Sequence, residues 1–114
     1  LIQNLLRICL YLTKPLFLLV ILCMRRLRYV FFPSELKNDI NTLRNSELFD
    51  GSWYLETYAD LRSSTLGAEA HYLLHGASEG RDPSPRFSTS QYFFRNPSVK
   101  LDGINPLLHH LKIE

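Results

Sequence analysis

The segment HYLLHGASEGRDPSPRF, which begins at His71, concentrates the side chains of this chain that could do chemistry. His71 and His75 are four residues apart, so both imidazoles would lie on one face of a helix, where they could share a metal ion. Glu79, Arg81 and Asp82 follow on a Gly- and Pro-rich link, and carboxylates beside an arginine could serve as a general acid and base. The segment is therefore either a chemical site or a connection between two helices.

An internal repeat in the surrounding sequence favours the connection. The segment from Phe49 aligns without a gap on the segment from Phe87, and we call the offset between these two positions the repeat period. A period of about 38 residues indicates helical units that bury their apolar faces against one another. The sequence predicts an all-α fold with two stacked units of three short helices, in 49–86 and in 87–114, the second of them incomplete. The identical pairs are Phe49/Phe87, Ser52/Ser90, Tyr54/Tyr92, His71/His109 and Leu73/Leu111.

Small and polar residues predict where these helices begin and end, because an N-cap side chain accepts a hydrogen bond from a free backbone N–H group. A linking helix in 33–48 is expected to begin after Ser34. Gly76 is expected to take the left-handed conformation that ends the third helix of the first unit. The expected N-caps within the units are Asp50 and Ser88 for the first helices, Asp60 and Ser98 for the second, and Gly67 and Asn105 for the third.

The alignment argues against a metal site. His71 matches a histidine of the second unit, His109, but His75 matches Ile113, so the histidine pair is not repeated. A histidine that recurs on a packed helix is more often a buried hydrogen-bonding residue, and His75 near a helix C-terminus is favoured by the helix dipole. His71 and His75 are thus kept only as the alternative metal ligands, and no cofactor is expected.

We interpret the polar cluster as the joint between the two units. Arg81 can reach back to Glu79 or to the carbonyl groups that end the third helix, while the prolines stiffen the path to the next unit. No catalytic or cofactor-binding residue is assigned. Glycan recognition remains an alternative, since aromatic faces beside Asp, Glu and Arg can line a carbohydrate groove. The predicted joint residues are His71, Gly76, Glu79, Gly80, Arg81, Asp82 and Pro83.

Residues 1–32 form a basic, apolar arm with five basic side chains and no acidic one. Because the rest of the chain is mildly acidic, this asymmetry points to membrane lipid as a partner and not to nucleic acid. Residues 5–24 have the length of a spanning helix, although a lysine near the middle is costly, so the arm either spans the bilayer, lies in its interface or packs on a missing domain. The predicted interface residues are Arg25, Arg26, Arg28 and Tyr29.

The motifs LFDGSWYLETYADL and HYLLHGASEGRDP resemble the tandem repeat found beside glycosyltransferase domains in bacterial proteins of surface-polysaccharide assembly. The resemblance covers about residues 46–114. One departure is Ala59, which stands where the family usually has proline.

This resemblance implies a non-catalytic anchoring and interaction module of a glycosyltransferase-type protein in bacterial envelope polysaccharide biosynthesis. The expected location is the bacterial inner membrane with the body on the cytoplasmic side, because three positive charges follow the apolar run that begins at Ile8 and one, Arg7, precedes it. The expected partners are membrane lipid and other polysaccharide-assembly proteins or glycan. The alternative is a fragment of a membrane-associated glycosyltransferase whose catalytic domain lies outside this chain, which leaves open whether the parent protein is an enzyme.

Overall fold

The computed structural model describes residues 28–113, and the regular structure of these residues is helical. Within this part of the chain there is no β-strand, and only an isolated bridge joins Ser84 and Phe87. The all-α prediction is therefore confirmed. The elements are α1 (Pro33–Arg44), α2 (Gly51–Thr57), a 3-10 helix (Ala59–Ser63), α3 (Ala68–His71) with a π-helical turn directly after it (Tyr72–Gly76), α4 (Thr89–Arg95), α5 (Pro97–Leu101) and α6 (Pro106–Ile113).

The chain divides into two compact units, one that ends at Pro33 and one that begins at Ser34. Between residues 28 and 113, no helix is long and apolar enough to cross a membrane. The predicted spanning segment 5–24 lies outside the described residues, as do Arg25 and Arg26.

Three of the predicted N-caps bind the free N–H groups of their helices. Asp50 and Ser88 accept hydrogen bonds from the backbone N–H three residues further on, at 3.0 and 3.3 Å. Asn105 accepts two of the first free N–H groups of α6, both at 3.1 Å. Gly67 also stands at its predicted N-cap position, before α3. These predictions are confirmed because capping depends on residues close in sequence.

Three other predicted caps are wrong. Ser34 lies inside α1, which begins one residue earlier at a proline, the residue whose missing N–H suits the first turn. Asp60 and Ser98 lie inside the 3-10 helix and α5. The N-cap positions of those two helices are held by Tyr58 and Asn96, without a side-chain capping bond. The carboxylate of Asp60 is instead engaged by a distant arginine.

The prediction of a left-handed Gly76 is also wrong. Among the described residues, the glycines with positive φ are Gly80 at 80° and Gly103 at 65°. The chain around Gly76 instead forms a π-helical turn. Glycine is required there by a close approach, because a Cβ on residue 76 would lie 2.1 Å from the hydroxyl oxygen of Tyr54.

The core of residues 34–113 is rich in aromatic rings. Tyr54 and Tyr72 are fully buried, and their ring centroids are 6.0 Å apart in an edge-to-face arrangement. Pairs of this geometry add to the stability gained from burying the rings. One cluster joins α1 with residues from both predicted units. Its buried members are Leu43, Phe49, Tyr54, Leu61, Ala68, Tyr72, Ala77, Phe87, Leu107 and Leu108.

Candidate functional site

Arg81 lies at the centre of the polar cluster. Its Nη1 and Nη2 donate to Oδ1 and Oδ2 of Asp60, at 3.0 and 2.7 Å. Its Nε lies 2.9 Å from Oε2 of Glu79, and its guanidinium carbon lies 4.9 Å from the ring centroid of Tyr58. This combination of a two-pronged ion pair and a stacked ring uses the planar fork of arginine. Arg81 thus fastens the link to the 3-10 helix of the first unit.

The ion pair favours the charged form of both partners. The hydrogen bond from Arg81 lowers the pKa of Asp60 below its ordinary value of 3.8. The same bond raises the pKa of Arg81. A general acid has to carry a proton near its working pH, and a carboxylate held by arginine does not. The ion pair is therefore suited to hold the link against the 3-10 helix, and not to transfer a proton.

The link is also held by hydrogen bonds that involve its backbone. The N–H of Asp82 donates to the hydroxyl of Tyr58 at 2.8 Å, and Oδ1 of Asp82 accepts the N–H of Thr89 at 2.9 Å. The hydroxyl of Thr89 donates to the carbonyl of Arg81 at 2.7 Å and lies 2.9 Å from the hydroxyl of Tyr72. Thr89 begins α4, so the bonds that Thr89 makes join the first predicted unit to the second.

The remaining link residues shape the path of the chain. Gly80 takes a left-handed conformation with φ of 80°, which an L-residue adopts only at a cost. Pro83 is fully buried, and its carbonyl accepts the N–H of Asp50 at 3.1 Å. The N–H of Arg81 donates to the carbonyl of Gly76 at 2.9 Å. The link therefore returns to the start of α2 before it continues into α4.

The two candidate metal ligands are adjacent, but one of them is already engaged. Nδ1 of His71 lies 2.8 Å from the hydroxyl of Tyr54, and the ring centroids of His71 and His75 are 5.6 Å apart. Burial, and then the charge of Arg81, lower the pKa of His71 below its ordinary value. In the part of the chain that the structure describes, no group of three His, Cys, Asp or Glu residues could hold a metal ion.

The same tyrosine–histidine contact occurs one repeat period further along the chain. The hydroxyl of Tyr92 and Nδ1 of His109 share a hydrogen bond in the second predicted unit. In each unit, the phenylalanine five residues before the tyrosine packs against the tyrosine ring with similar geometry. The rings of Phe49 and Tyr54 are 6.0 Å apart and tilted by 34°, and those of Phe87 and Tyr92 are 5.5 Å apart and tilted by 34°. Both Tyr92 and His109 are only half-buried.

Two of the predicted membrane-interface residues lie in the described part of the chain. Arg28 and Tyr29 belong to a helical segment, and the Arg28 guanidinium carbon lies 5.5 Å from the Tyr29 ring centroid. Val30, Phe31 and Phe32 follow them and are exposed.

Comparisons of the chain with protein-family models, with curated proteins and with solved structures found no match. The site is therefore interpreted from its own geometry. Sequence reasoning missed three of its residues, namely Tyr58, Asp60 and Thr89. The partner of Arg81 lies 21 residues away in Asp60, and no local motif links the two positions.

Replacing Arg81 by lysine tests the fastening directly. A lysine ammonium is a point charge that cannot contact both oxygens of Asp60 and also stack on Tyr58. We expect Arg81→Lys to lower the melting temperature modestly, because Asp60 is exposed and water screens the ion pair. The difference from the unmodified chain should shrink as salt is added. A matched change at an arginine outside the cluster, Arg62→Lys, should leave the melting temperature unchanged.

Acidification should destabilise the fold through His71. Burial lowers the folded-state pKa of His71 below its ordinary value of 6.5, so the unfolded chain binds the proton more readily. The stabilisation is present above that ordinary value and is lost as the pH falls below it. His71→Gln, which keeps a hydrogen-bonding group, should flatten the dependence of melting temperature on pH between about 7.5 and about 5. An unchanged slope in this variant would contradict the assignment to His71.

Proposed function

We propose that this chain is a non-catalytic anchoring and interaction module of a glycosyltransferase-type protein in bacterial envelope polysaccharide biosynthesis. The observation that carries the proposal is the engagement of the polar cluster within the fold itself. Arg81 binds Asp60 and Glu79, and His71 binds Tyr54. Groups that hold one another in place are suited to a joint between helical segments. The resemblance to repeats beside glycosyltransferase domains supplies the proposed setting.

We further propose that 49–86 and 87–113 are two copies of one helical repeat. The first two helices correspond in length and in place, because Gly51–Thr57 aligns with Thr89–Arg95 and Ala59–Ser63 aligns with Pro97–Leu101. The paired contacts support the proposal more strongly than the five sequence identities do. A hydroxyl that meets an imidazole across two helices recurs in both copies, at Tyr54 and at Tyr92. Repeats of this kind present extended surfaces that bind partner proteins or glycan.

The proposed anchor is the arm in residues 1–32, with Arg25, Arg26, Arg28 and Tyr29 at the lipid interface and the body on the cytoplasmic side of the inner membrane. Fractionation of bacteria that express the full chain tests this proposal. After the membranes are washed with high salt, which screens electrostatic contacts, the full chain should still sediment with them, and a chain without residues 1–32 should not. The side of the membrane is tested with a green fluorescent protein fused to the C-terminus, which should fluoresce if the body lies in the cytoplasm. Equal membrane recovery of both chains after this wash would refute the anchor.

The absence of catalysis is tested separately, with purified full chain in detergent. Calorimetric titration with uridine diphosphate glucose and with guanosine diphosphate mannose, each with Mn²⁺, should give no heat beyond dilution. Saturable binding of either donor would refute the non-catalytic assignment. It would favour the alternative that this chain is part of the transferase itself.

A further inference from the structure

Each of the three helices in residues 87–113 has one exposed apolar residue and one basic residue as its last two residues. We call these pairs the helix-end doublets. The exposed fractions of the apolar members are 88 % for Phe94, 75 % for Leu101 and 65 % for Ile113. The doublets are Phe94-Arg95 at the end of α4, Lys100-Leu101 at the end of α5 and Lys112-Ile113 at the end of α6.

Two of the doublets are neighbours in space. Nζ of Lys100 lies 5.9 Å from the ring centroid of Phe93, which directly precedes Phe94. This contact joins the end of α5 to the end of α4. The exposed side chains of Phe94 and Leu101 are therefore carried by neighbouring helix ends, with Arg95 and Lys100 next to them in sequence.

The fold of a unit does not require these apolar residues. The positions that align with them in the first unit are Glu56, Ser63 and His75, all polar. The charge differs in the same way, because 49–86 has six acidic and three basic residues, whereas 87–113 has one acidic and three basic. Favourable interaction with helix dipoles accounts for basic residues in a last turn, but not for exposed apolar ones beside them.

We propose that the helix-end doublets bind an anionic lipid bilayer. Phe94, Leu101 and Ile113 enter the boundary between headgroups and acyl chains, and the basic residues beside them meet lipid phosphates. This pairing of exposed apolar and cationic side chains is the composition of interfacial membrane contacts. Charge complementarity selects an anionic bilayer as the occupant of the surface. The contact is additional to the proposed arm and is made by a different part of the chain.

The test uses the full chain reconstituted into vesicles, with a fluorescent reporter at the surface. Trp53 is the single tryptophan, so W53F removes the background and F94W places an indole at the first doublet. In vesicles rich in phosphatidylglycerol, the emission should shift to the blue, and brominated lipid should quench it at least about twofold. In pure phosphatidylcholine, the quenching should be much weaker. R95E together with K112E should abolish it.

The matched control is W53F with E56W, which puts the reporter at the corresponding position of the first unit. It should stay in water and be quenched by iodide, although the same arm holds the chain on the vesicle. Equal iodide quenching of both reporters would overturn the proposal. So would shielding of F94W that depends on protein concentration in lipid-free detergent, which would make the surface a contact between two copies. Because the arm is tested by fractionation after a high-salt wash and the doublets by a reporter at residue 94, failure of either proposal is recognised separately.

Discussion

Gly76→Ala is expected to lower the free energy of unfolding by about 3 kcal/mol. The new Cβ would lie 2.1 Å from the hydroxyl oxygen of Tyr54 and 3.4 Å from Nδ1 of His71. Tyr54 is fully buried, so the clash can be relieved only by moving a packed ring or the π-helical turn. Either movement strains the hydrogen bond between Tyr54 and His71. Urea unfolding of the full chain in detergent, followed by the fluorescence of the single tryptophan, measures the loss.

Two controls separate this clash from a general effect of alanine. Gly51→Ala adds a methyl group at ordinary contact distance, 3.6 Å from Cβ of Ala68, and should be neutral or stabilise α2 by up to about 1 kcal/mol. Tyr54→Phe should partly rescue Gly76→Ala, since the oxygen that the Cβ meets is gone. If the double variant loses the full sum of the two single effects, the Tyr54 hydroxyl is not the obstacle.

The sequence predicted those features that depend on neighbouring residues. The all-α class followed from helical spacing, and the caps at Asp50, Ser88 and Asn105 followed from side chains that reach only two or three residues along the chain. The same local reasoning was wrong at Asp60. Its carboxylate is a plausible cap by position, but the arginine 21 residues away offers two charged hydrogen bonds.

Gly76 illustrates the other limit of local reasoning. A glycine after a helical pattern most often marks a left-handed helix end, and that was the basis of the prediction. Here the left-handed position falls four residues later, at Gly80. The glycine at 76 is required by Tyr54, a residue of another helix that lies much earlier in the chain. Only the packing of the two helices reveals that requirement.

The two tyrosine–histidine contacts should differ in strength even though their geometry is alike. Tyr54→Phe removes the partner of the buried Nδ1 of His71, which is then shielded from water, and we expect a loss of about 2 kcal/mol in the free energy of unfolding. Tyr92→Phe makes the same change where the tyrosine and His109 are half-buried, so water can replace the hydroxyl. We expect Tyr92→Phe to lower the free energy of unfolding by at most about 1 kcal/mol.

The comparison is informative because both changes delete one oxygen from the same kind of pair. Burial also raises the pKa of both tyrosines, so neither ionises near neutral pH and ionisation does not enter the difference. Urea unfolding of the full chain with Tyr54→Phe, with Tyr92→Phe and with both gives the three values. Equal losses from the two single variants would mean that burial does not set the strength of the contact. A joint loss larger than the sum would mean that the two contacts support each other through the shared core.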